Sequence, residues 1–183
     1  MIAGQGTYQG RATPARFGRV SLVLTAISLL FLTACALDRQ NAVRAQLDSW
    51  VVLRETLYFN STRICTAGVF ATGASTILSG AKKVRSVARG VRAVGQGDAV
   101  AFDVPGLSPA DVQSGIDATT RPVSLAILTS GLAAKDCLTD DLQEAFTNAL
   151  FAPDAVLIFD PASRAVAVFD RAQKQVFFTR ADP

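Results

Sequence analysis

The sequence predicts an α+β domain: several helices followed by a C-terminal three-stranded antiparallel β-meander. Two observations lead there. Most of the chain carries apolar residues at helical spacing, whereas the last stretch switches to short apolar runs, "AVLIFD", "AVAVFD" and "QVFFTR". These runs are separated by "PASR" and "RAQK", which read as turns. Helices first and strands last define the α+β class. A third observation sets the scale. With 183 residues, half of them apolar, the chain can bury one modest core and is not a disordered polymer.

The elements follow in order. Asp38 to Tyr58 reads as a helix through Val43, Leu47, Trp50, Val51 and Leu57, although Val51-Val52-Leu53 also fits a strand start. Asn60 to Thr72 is rich in β-branched residues and is expected to continue as helix. Ser75 to Val94 has the clearest period: Ile77, Ala81, Val84, Ala88 and Val91 fall on one helical face. Lys82, Arg85, Arg89 and Arg92 form a basic stripe beside it. Ala99 to Val104 is a short strand. Ser108-Pro109-Ala110-Asp111 starts a helix: serine caps, proline sits in the first turn, and aspartate faces the positive end. Pro122 to Leu138 is expected to be a buried helix. Thr139-Asp140-Asp141 then opens an amphipathic helix carrying Leu142, Phe146, Ala149 and Leu150.

The N-terminus gives an address. Arg11, Arg16 and Arg19 precede an uncharged run of 18 residues, Val20 to Leu37. A basic segment, an apolar segment and small residues at its end make a secretory signal. Leu32-Thr33-Ala34-Cys35 resembles the lipobox of bacterial lipoproteins. The resemblance implies that residues 1–34 are removed and that Cys35 becomes the acylated first residue. It further implies a periplasm-facing domain over residues 35–183, lipid-anchored in a bacterial membrane. Ala36 in place of an aspartate leans toward the outer membrane. Two other readings stand beside it: an uncleaved transmembrane anchor, since the run is just long enough, and a core helix.

The cysteine count fits the lipoprotein reading. Assigning Cys35 to the lipid leaves Cys65 and Cys137, which an oxidising compartment allows to pair. Two separate buried thiols are the alternative. A bridge closing so long a loop is worth about 4 kcal/mol in the chain-entropy model.

Charge excludes one class of partner. The +3 net charge comes from the three N-terminal arginines, and without residues 1–34 the chain carries 15 basic and 15 acidic residues. No nucleic-acid partner is expected, because phosphate binding demands a basic excess. The charge is segregated, however. From Thr56 to Gly97 there are six basic residues and no acid. The basic stripe then has three readings: a solvated edge facing the acidic half, a contact with anionic lipid, or a contact with an acidic partner.

No catalytic residues, cofactor or metal site are expected. The chain has no histidine, which removes the commonest general base and metal ligand. Ser79-Gly80-Ala81-Lys82 matches S-x-x-K, but no K-T-G follows. Asp98 with Asp103, and Asp140-Asp141 with Glu144, are the remaining acidic groupings. The expected role is therefore a non-enzymatic interaction or assembly component of the envelope, with an envelope protein as partner. The alternative is a small envelope enzyme or glycan-binding module working without histidine.

Overall fold

The C-terminal apolar runs feed two cores at once. Val156, Ile158, Ala165, Ala167, Phe169, Val176 and Phe178 face one core, while Leu157, Phe159, Val166, Val168 and Phe177 face the other. Side chains alternate across a strand, so a run that is apolar throughout needs cover on both faces. The computed structural model describes residues 37–181. The expected signal peptide, the lipobox and Cys35 lie outside the described residues.

The described elements are α1 (Gln40–Asp48), β1 (Val51–Ser61), β2 (Cys65–Ile77), β3 (Lys82–Val84), α2 (Val87–Gly95), β4 (Val100–Phe102), α3 (Pro109–Asp117), α4 (Arg121–Ala134), a 3-10 turn (Lys135–Cys137), α5 (Asp140–Phe151), β5 (Val156–Asp160), β6 (Ala165–Asp170) and β7 (Gln175–Ala181). The class is α+β, but the expected three-stranded meander is corrected. All the described strands form one seven-stranded sheet in the order β1-β2-β7-β6-β5-β4-β3. The sheet is mixed: β3 pairs with β4 in parallel, and every other neighbouring pair is antiparallel. The C-terminal strands lie in its middle.

One core fills the space between the sheet and α2 to α5. It contains Ala93 and Val94 from α2, Val112 and Ile116 from α3, Ile127 from α4 and Ala149 from α5. The other face is covered by α1 through Val43 and Leu47, with Trp50 and Phe70 beside them. Both sheet edges are blunted. β1 is irregular, with register shifts against β2, and β3 is three residues long and starts with two lysines.

Three helical expectations fail for a common reason. Asp38 to Tyr58 is a helix only to Asp48, after which Val51 begins a strand. Asn60 to Thr72 is strand on both sides of a turn. Ser75 to Val94 divides into the end of β2, a turn, β3 and α2. Its apparent helical face is a coincidence of spacing: Ala81 packs into one core and Val84 into the other. The β-branched residues of these segments find ladder partners, and tertiary pairing overrides local periodicity.

Of the two expected helix starts, one is capped as local chemistry dictates. Ser108 Oγ accepts the Asp111 N–H, and the Asp111 carboxylate accepts the Ser108 N–H at 3.0 Å, a reciprocal capping box. Thr139 occupies the N-cap of α5 but makes no side-chain cap bond.

Candidate functional site

The sequence-derived candidates fall into three places. The first is the Cys65–Cys137 disulfide, which joins the start of β2 to the end of the 3-10 turn after α4. The Cys137 carbonyl also accepts the Tyr58 hydroxyl at 2.7 Å and the Asn60 amide at 3.2 Å. A covalent bond and two hydrogen bonds thus tie the C-terminal end of α4 to β1 and β2.

The second is the basic group, and here the sequence reading needs correction. Lys82, Arg85, Arg89 and Arg92 do not share one helix: Lys82 lies on β3, Arg85 follows β3, and only Arg89 and Arg92 lie on α2. They nevertheless converge. With Lys83, Val84, Ala93 and Gln96 they line an open basin of about 530 Å³ between the edge strand and the helix. Lys82 Nζ lies 2.8 Å from Asp98 Oδ2, and Lys83 Nζ lies 3.4 Å from Asp103 Oδ2. Asp103 is gripped from its other side by Arg171 at 2.8 Å. The Arg171 hydrogen bond, reinforced by both positive charges and opposed by partial burial, holds the Asp103 carboxyl below the usual aspartate range.

The third place had no counterpart in the sequence reading. Helices α3, α4 and α5 part over the sheet to leave a crevice of about 410 Å³. Its walls include Pro109, Gln113, Leu128, Phe146, Leu150 and Phe151, over a floor of Leu157 and Val166, and among the described residues no lining side chain is charged. The Phe146 ring meets Phe177 of the sheet at a tilt of 57°, with ring centroids 5.7 Å apart, so α5 is held from below. Gln113 holds α3 to α4, its amide donating to Ser124 Oγ at 2.9 Å and to the Ser124 carbonyl at 3.1 Å. At the rim Phe151 is 68% exposed and Leu128 40%. The expectation of a buried helix from Pro122 to Leu138 is corrected accordingly, since Leu125 and Leu128 both face solvent. Phe151 directly after Leu150 was the available sequence signal: it widens the apolar arc of α5 beyond what one core needs.

The enzymatic motifs come apart. Ser79 lies in a turn and Lys82 on β3, so the helical turn that S-x-x-K chemistry requires is missing. Asp98 and Asp103 are each held by lysine. Asp140, Asp141 and Glu144 are exposed at the start of α5, and no group of metal-ligating side chains occurs among the described residues. No described helix is long and apolar enough to cross a membrane.

No protein-family model matches the sequence, and searches of curated proteins and of solved structures likewise give no match.

Proposed function

We propose that the protein is a bacterial envelope lipoprotein, tethered through acyl chains on Cys35, whose periplasm-facing domain is a non-enzymatic interaction or assembly component. In this reading the anchor lies in the outer membrane rather than the inner. The single observation that carries the interaction role is the uncharged crevice between α3, α4 and α5 with Phe151 exposed at its rim. Large apolar side chains held open to water mark a place where another surface is buried. The occupant proposed is an apolar segment of an envelope protein.

Two features support the address. The lipobox-like stretch supplies a lipid site, and the disulfide is of the kind that persists in exported proteins. Several acyl chains bury many methylenes at about 0.8 kcal/mol each, so such an anchor is stable.

The test has two arms. A photocrosslinking side chain placed at Phe151 in cells should capture one discrete envelope protein, and one placed at exposed Arg63 should not. Equal capture at both positions would overturn the crevice as an interface. The intact mass of the membrane-extracted protein should show loss of residues 1–34 and added acyl mass. A chain still beginning at Met1 would overturn the lipoprotein reading and leave the crevice result standing.

A further inference from the structure

The basin between β3 and α2 is over-supplied with positive charge. Five cations line it: Lys82, Lys83, Arg85, Arg89 and Arg92. The two lysines are answered by Asp98 and Asp103, and Asp103 is already shared with Arg171. Edge-strand protection accounts for the lysines. It does not account for the arginines.

Arg85, Arg89 and Arg92 are exposed, and none has an ion pair or side-chain hydrogen bond among the described residues. Two unfavourable features coincide there. Arg89 and Arg92 are like charges three residues apart on one helix. Arg89 stands in the first turn of α2, which holds no acid although the helix dipole favours one there. An anion bound in the basin relieves both.

We infer that this basin is a binding site for a phosphate-bearing group, with Arg85, Arg89 and Arg92 as its ligating cations. Guanidinium forks match phosphate oxygens in pairs. Three unanswered charges suit a multiply charged phosphate better than a single carboxylate. The basin is open and of about 530 Å³, so it has room for an esterified or condensed phosphate. An anionic lipid headgroup and a soluble phosphate ester share this chemistry. The site stands independently of the crevice and of the lipid anchor.

The experiment titrates inorganic pyrophosphate into the full chain in neutral detergent micelles and follows the heat of binding. The test variant is Arg85→Gln with Arg89→Gln. The control is Arg63→Gln with Arg121→Gln, which removes the same charge from two other exposed positions. All four side chains are exposed, so both variants are expected to melt like the parent protein. The parent and the control bind pyrophosphate, and the basin variant binds about tenfold more weakly or worse. Doping the micelles with phosphatidic acid, a phosphate monoester, against phosphatidylcholine distinguishes the sources. Loss of pyrophosphate binding in phosphatidic acid alone assigns the basin to a lipid headgroup, and unchanged binding assigns it to a soluble phosphate ester. Equal weakening in the two variants overturns the proposal, because net charge alone would then explain the binding. Failure of pyrophosphate to bind the parent protein overturns it too, even if DNA or an acidic protein is retained.

Discussion

Gly90 on α2 lies against the ring of Phe102 on β4: a Cβ placed on Gly90 would fall 2.1 Å from Phe102 Cε1. Phe102 is 1% exposed, so its ring can yield only by displacing its core neighbours. The glycine costs the helix intrinsic stability but lets α2 settle onto the sheet beside the basic basin. Gly90→Ala should therefore destabilise despite alanine's better helix propensity. The expected loss is about 1–3 kcal/mol, the range for an overpacked core, measured by denaturant unfolding. An unchanged or raised midpoint would mean that the helix does not sit as closely as described. Gly95→Ala is the internal comparison, since nothing lies within 4 Å of a Cβ there.

Asp103 connects the end of β4 to the β6–β7 turn through Arg171, which also donates to the Ser75 carbonyl at 3.2 Å and lies over the Phe169 ring at 5.8 Å. The folded protein holds the Asp103 carboxyl below its ordinary value, first through the Arg171 hydrogen bond. A depressed folded pKa gives stability that is present above the unfolded value and lost as pH falls through the folded one. The window therefore opens near the ordinary aspartate value of about 3.9 and extends downward. Asp103→Asn should lower the melting temperature at neutral pH, and the gap to the parent protein should close below that value. Both partners keep some solvent contact, so the effect is at most about 1 kcal/mol. A gap that is constant with pH would assign the loss to packing instead.

Much of the fold was readable from local chemistry, and the failures share a cause. Ser108 and Asp111 announce their helix because a capping box is made of residues three apart. The C-terminal strands announce themselves because "PASR" and "RAQK" interrupt apolar runs. What sequence does not carry is which neighbour a strand finds. Val51 to Ile77 forms β1 and β2 because the pair extends the sheet beyond β7, a partner more than a hundred residues further on. The basic residues were legible as a group but were assigned to one helix. They meet because β3 lies beside α2, not through a helical period. The crevice was illegible for a different reason: its walls are three successive helices, and their individual periods do not say how they part over the sheet.

The two hairpins of the central sheet share one turn design, and it makes a graded prediction. Asp160 Oδ1 accepts the Ala162 N–H at 2.9 Å, while Asp170 Oδ1 accepts those of Ala172 and Gln173 at 2.9 and 3.0 Å. Each turn ends on a left-handed residue, Arg164 with φ 53° and Lys174 with φ 52°. Asp170 is only 6% exposed, so removing its acceptor strands partly buried amides. Asp170→Ala should cost about 1–3 kcal/mol, and Asp170→Asn much less, because an amide oxygen still accepts. Lys174→Gly should be neutral or stabilising by up to about 1 kcal/mol, since glycine adopts that backbone without strain. Equal losses for Asp170→Ala and Asp170→Asn would show that charge, not the turn hydrogen bonds, is what matters there.

The bridge between Cys65 and Cys137 gives the largest expected effect and separates two roles. Its cysteines are 72 residues apart, so opening it restores a large conformational freedom to the unfolded chain, about 4 kcal/mol in the chain-entropy model. Replacing both cysteines by alanine should lower the unfolding free energy by about 2–4 kcal/mol, and reductant should have no further effect on that variant. The crevice tests the second role. Cys137 closes the turn that ends α4, and α4 supplies Ile127, Leu128 and Gly131 to the crevice wall. If the bridge only restrains the unfolded chain, amide hydrogen exchange along α4 should change by no more than the global loss of stability. If it also positions the wall, exchange along α4 should rise by more than that along β6, which lies in the middle of the sheet. The Tyr58 and Asn60 hydrogen bonds to the Cys137 carbonyl remain in the double alanine variant. Tyr58→Phe in that background should therefore widen the difference between α4 and β6. No widening would mean that the helix is held by its apolar contacts alone.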